Sequence, residues 1–158
     1  RNWGAEVSFD IKATLQAVQS YLQSSGYFDA GAQVGLPKSP PDKGFSAAVY
    51  MQSVVVTKVF ANGGTREVHT AIIRIFRNML AEPEEAIEFG LAKVVQDVAS
   101  DLIGEFDLGA TIAYIDVGGS EGTSLGARWG DVDVGGTVFA IVDITLPLVI
   151  DDSETAVP

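Results

Sequence analysis

A chain of 158 residues is long enough for one domain with a real hydrophobic core. With 47% apolar and 20% charged residues it has a globular rather than a disordered composition, and a net charge of −11 argues against general affinity for nucleic acid, which needs clustered Lys and Arg. The absence of cysteine excludes disulfides and thiolate metal sites.

The first element predicted is a helix near 9–25. Ser8 serves as its cap, and Ile11, Leu15, Val18 and Leu22 recur at the spacing of one helical face. Gly26 fits a residue just past the helix end, with Tyr27 and Phe28 anchoring the exit. Residues 29–44 are rich in Gly and Pro (Pro37, Pro40, Pro41) and read as an irregular surface loop.

Phe45 to Phe60 is β-branched and aromatic, Asn62-Gly63 signals a hairpin turn, and a second β run continues from Arg66 to Arg77. A helix over 83–105 follows. Pro83 suits its first turn, Glu82, Glu84 and Glu85 suit its N-terminus, and Ile87, Leu91, Val94, Val98 and Leu102 form its core stripe.

A short strand is expected over 110–117, and a Gly-rich loop over 118–136 that carries Trp129. The run 137–150 alternates, with Val138, Ala140, Val142, Ile144, Leu146 and Leu148 on one face and Asp143 and Thr145 on the other. Pro147 suits an edge or a strand end. The expected architecture is a single α+β domain over 1–158, an antiparallel or mixed sheet with two main helices packed on one face.

Chemistry has little to draw on. His69 is the only histidine and no G-x-S-x-G elbow accompanies it, so it reads as a partly exposed strand residue with no catalytic role. Gly118-Gly119-Ser120-Glu121-Gly122 and Gly126 lack the Gly-Lys-Ser/Thr of a phosphate loop. Asp116, Asp131, Asp133, Asp151 and Asp152 have no EF-hand spacing and read as solvated. No catalytic residue, cofactor or metal is expected. Trp129 either folds onto the core or anchors a neighbouring subunit, and Trp3 docks on the first helix or on a neighbour. The apolar runs are too short to span a bilayer and no signal-peptide pattern opens the chain, although a start at Arg1 suggests that upstream residues are missing.

The element order resembles the tail terminator family of siphophages, related to the minor tail protein U of phage lambda. The resemblance rests on the first helix with its Tyr27-Phe28 exit, the hairpin around Asn62-Gly63, the helix opening Glu82-Pro83-Glu84-Glu85 and the closing strand 142–148. It implies a structural virion protein, a ring (a hexamer) that caps the tail tube, ends its polymerisation and joins tail to head. Tail tube and head or neck connector proteins would be its partners, and DNA would pass through the lumen without specific binding. Asn62, Gly63 and Trp129 are the candidate subunit-interface residues, because long β runs leave backbone groups that need a partner chain. Another head-to-tail connector or a tail tube subunit is the nearest alternative. A small ligand-binding or enzymatic bacterial domain is the alternative of another class.

Overall fold

The three longest strands set the architecture. In the computed structural model, which describes residues 11–41, 43–104, 108 and 112–152, they are β2 (Ser46–Val59), β3 (Thr65–Asn78) and β6 (Thr137–Asp152). Around them stand α1 (Ile11–Ser24), β1 (Ala32–Val34), α2 (Glu84–Gly104), β4 (Tyr114–Ile115) and β5 (Gly126–Val134). The sheet runs β1-β2-β3-β6-β4, with β5 also on β6. Only the β1–β2 pair is parallel, so the sheet is mixed and the fold is α+β.

Both helices cover the same face of this sheet. Val18 and Leu22 of α1 and Ile87, Leu91, Val94, Val98 and Leu102 of α2 share one core with Ala71, Ile73 and Ile75 of β3. The same core takes Ala140, Val142, Ile144, Leu146 and Leu148 of β6, the alternation that the sequence displays. Val138 shares that parity but lies at the end of the sheet and stays exposed. On the opposite face Asp143 and Thr145 are half-buried, and Phe139 and Ile141 form a second cluster with Ala48 and Phe76. Beyond α1, Phe28 enters the core and the Tyr27 hydroxyl donates to Asp101 of α2 at 2.6 Å, a bond that pushes the phenol up to about 12.

The hairpin forms where expected. Asn62 Oδ1 accepts from the Gly64 amide at 3.0 Å, and Gly63 takes the left-handed backbone (φ +89°) that its place in the turn demands. The hairpin does not project alone, because β6 accompanies β3 as far as Thr65↔Asp152.

Three expectations need correction. Residues 126–134 within the expected loop 118–136 form β5, paired with β6 from Gly126↔Thr145 to Val134↔Thr137. The turn between them is Gly135-Gly136, with φ +62° and +88°, the conformation that matches a two-residue hairpin to the twist of its strands. Within the expected loop 29–44, Ala32–Val34 adds to β2 as a short parallel strand. Pro147 lies inside β6 rather than at its end. Its carbonyl accepts from the Asp116 amide, so its nitrogen faces the side where the neighbouring strand changes from β5 to β4, and no ladder bond is lost. The expected cap Ser8, Trp3 and the chain after Asp152 lie outside the described residues.

Candidate functional site

Among the described residues the sheet has two long edges without a partner strand. The outer side of β2 is occupied by β1 only at Ala47–Val49. From Gln52 to Val59, β2 pairs with β3 alone among the described residues, and Val55, Val56 and Val59 are exposed, Val59 to 71%. On the opposite flank β5 pairs with β6 alone among the described residues and is exposed over most of its length. Such edges present unpaired backbone donors and acceptors, which natural sheets usually block with charge, proline or a covering element. Over Gln52–Val59 the only charge is Lys58 and there is no proline.

The candidate interface residues fall on these two edges. Trp129 stands in β5 opposite Val142, a core residue, so it points to the helix-bearing side of the sheet. It lines a cavity of about 210 Å³ with Met79, Glu84, Glu88 and Asp131, and 44% of it is exposed. It is therefore neither folded into the core nor free in a loop; it shares the lining of this cavity with α2 and is partly open to solvent. Asn62 and Gly63 are exposed at the hairpin tip, at the far end of the sheet. Val142 pairs with Ile75, ten residues along β3 from Thr65, or about 33 Å at about 3.3 Å per residue. The structure thus keeps Trp129 and Asn62-Gly63 apart, at two ends and on two flanks.

His69 is not partly exposed. It and Glu67 are both fully buried between β3 and α1, on the same face as Ala71 and Ile73. Glu67 Oε1 lies 2.9 Å from His69 Nε2, so the imidazole donates there, and Nδ1 lies 3.4 Å from Thr14 Oγ1. Glu67 Oε2 accepts from Thr65 Oγ1 at 3.3 Å. Carboxylate, imidazole and hydroxyl stand in a line like that of a nucleophilic triad. Thr14 is only 2% exposed, however, so no substrate reaches the hydroxyl. The arrangement joins α1 to the sheet.

The acidic residues scatter. Asp131 and Asp133 are on β5, and the Asp133 carboxylate accepts from the Gly136 amide in the hairpin turn. Asp151 accepts two bonds from Arg66, whose Nη1 also reaches Glu121; the guanidinium holds the Asp151 carboxyl below its usual range against partial burial. The side chain of Asp152 lies outside what is described. Asp116 folds the Gly-rich stretch 117–122 around itself, accepting from the Ser120 amide and hydroxyl and the Glu121 amide at 2.7–3.0 Å. Burial pushes this carboxyl up, but those hydrogen bonds outweigh it and hold the carboxyl below the ordinary value of 3.8. A depressed carboxyl contributes stability above the unfolded value, and that contribution disappears as pH falls through the folded value. The stability difference between the parent and Asp116→Asn should therefore be constant at neutral pH and close below about 3.8. Denaturation curves at pH 7, 4 and 3 check this, and a difference that is the same at all three would refute it. No group of three or more metal-ligating side chains converges among the described residues.

The face opposite the helices carries one polar groove of about 550 Å³ between the sheet and Gly122–Ser124. Asp143 and Arg128, opposite each other in β6 and β5, both line it; Arg74 grips both oxygens of Asp143 at 2.7 and 2.8 Å, and Arg128 has no ion pair among the described residues. No helix among the described residues is long and apolar enough to cross a membrane. Compared with known proteins, the chain matches no protein-family model and no curated protein.

Proposed function

We propose that this chain is a structural subunit that closes into a ring through its sheet edges, and that the ring is the terminator that caps the tail tube of a long-tailed bacteriophage. The observation that carries the self-association is the pair of edges, Gln52–Val59 and β5, that have no partner strand among the described residues and lie on opposite flanks of one sheet. Two different surfaces on one subunit make a head-to-tail contact, which closes into a ring and leaves no free edge. The phage setting comes from the resemblance of element order to siphophage tail terminators. In this reading the chain has no catalytic role; it works in the virion, between tail tube and head or neck proteins.

The experiment is sedimentation with native mass measurement. The expected particle holds six copies of a 16.7 kDa chain, about 100 kDa. Monomers alone at high protein concentration would end the ring reading and favour a small binding domain. Locating the chain in virions separates terminator from tube, since one ring and many stacked rings look different.

Two further outcomes follow. Trp129→Ala should weaken association about thirtyfold while the monomer stays folded, because a half-exposed tryptophan at an interface centre contributes about 2 kcal/mol or more. Association equal to the parent's would remove Trp129 from the contact. A chain with 21 acidic and 10 basic residues should also give a lumen that repels DNA and lets it slide. Duplex titration at low salt should show only weak binding, and sub-micromolar affinity would contradict it.

A further inference from the structure

Resting on the self-association proposed above, the geometry points to one specific pairing: β5 of one copy adds antiparallel to the outer side of β2 over Gln52–Val59 of the next. Length and direction agree first. β5 offers nine residues and the open part of β2 offers eight. β2 runs antiparallel to β3, β3 to β6 and β6 to β5, so an incoming β5 beside β2 continues the same alternation.

The faces agree next. In a continued sheet the helix-bearing sides join. On that side β5 presents Ala127, Trp129, Asp131 and Asp133, opposite Ile144, Val142, Ala140 and Val138 of its own β6. On the same side β2 presents Val54, Val56 and Val59, opposite His69, Glu67 and Thr65 of β3. The exposed side of Trp129 then lies over exposed valines, a combination of aromatic and β-branched side chains that stabilises adjacent strands. Charge does not oppose the contact. In a chain with net charge −11, Gln52–Val59 is a long edge without a carboxylate, so Asp131 and Asp133 meet no acid there.

The stagger agrees as well. β1 blocks β2 at Ala47–Val49, so an added strand must take the end near the hairpin tip. Within its own chain β5 lies at the other end, its midpoint Gly130 level with Ile141 and Phe76. Each copy is therefore displaced along the strands by about eight residues, or roughly 26 Å. A sheet that closes on itself requires such a stagger, with its strands tilted to the axis.

Because the chain has no cysteine, disulfide trapping tests the pairing directly. Asp131→Cys is combined in the full chain with Val54→Cys or with Val56→Cys, both on the helix side, and as control with Val55→Cys, on the other side. Within one copy these positions are three strand spacings apart, about 14 Å, too far for a disulfide, so any bond joins two copies. Oxidation should give a ladder of covalent oligomers with Val54→Cys or Val56→Cys and at least tenfold less with Val55→Cys. Sedimentation of the same variants under reduction separates the two levels of the argument. Rings that persist while neither helix-side pair cross-links, or that cross-link equally through Val55→Cys, overturn the strand pairing and leave the ring standing. Monomers alone, with no cross-link, overturn both.

Discussion

Val98→Asp and Leu91→Asp should each abolish cooperative unfolding, leaving a chain without a melting transition. Both side chains are fully buried on α2, packed against β3 and β6, and no Lys or Arg is buried among the described residues. An unpaired carboxylate there costs several kcal/mol, a large part of the roughly 5–15 kcal/mol that stabilises a typical domain. Leu91→Ala removes only apolar contact and should cost about 2–5 kcal/mol, which weakens the fold without destroying it. Gln96→Asp, on the exposed side of the same helix, should stay within about 0.5 kcal/mol of the parent. Thermal melts of the four variants check the series. If either buried aspartate variant melts like the parent, α2 does not face the sheet through this stripe.

The same stripe shows why the helices and long strands were legible in the sequence. Ile87, Leu91, Val94, Val98 and Leu102 are large, apolar and spaced for one face, a stripe that stands out although Phe89, Val95 and Ile103 lie off it. In β5 the pattern is diluted. Gly126 and Gly130 remove side chains from the strand, so nine paired residues look like loop. Two signals were nevertheless present: Asp131-Val132-Asp133-Val134 alternates, and Gly135-Gly136 between two such runs supports a two-residue hairpin. Reading them places Trp129 on a strand and gives it a face. The three residues of β1 carry no such signal. They are a strand because β2 has a free edge beside them, and a partner remote in sequence does not show in the local pattern.

The edges themselves could not be read from the sequence. Whether a strand is central or peripheral depends on the order of strands in the sheet, which local alternation does not encode. The exposed valines at 55, 56 and 59 look in sequence like any half-buried strand. Only the sheet order shows that β2 has β1 beside it for three residues and then, among the described residues, no strand on that side, and that is the observation on which the assembly reading depends.

The buried pair in β3 gives the other large expected effect. Counting by twos from Ala71, Ile73 and Ile75 places Glu67 and His69 on the core face, so their burial was implied by the period even though their polarity suggested solvent. Each satisfies the other: the carboxylate accepts at 2.9 Å from His69 Nε2, while Thr14 and Thr65 engage the remaining ring nitrogen and carboxylate oxygen. Glu67→Ala or His69→Ala removes one member and strands the other's polar group in a place closed to water. Breaking a buried pair in this way costs about 3–5 kcal/mol, more than losing the hydrogen bond alone. Replacing both together, Glu67→Leu with His69→Phe, leaves neither group stranded and should cost far less than the sum of the single changes. Thr14→Val tests the link to α1. It removes the hydroxyl from Nδ1 and should cost about 1 kcal/mol while leaving the Glu67–His69 contact intact. Urea unfolding of the single and double variants measures the coupling. Additive effects, or single changes costing under about 1 kcal/mol, would mean that water reaches the pair and that α1 does not seal it.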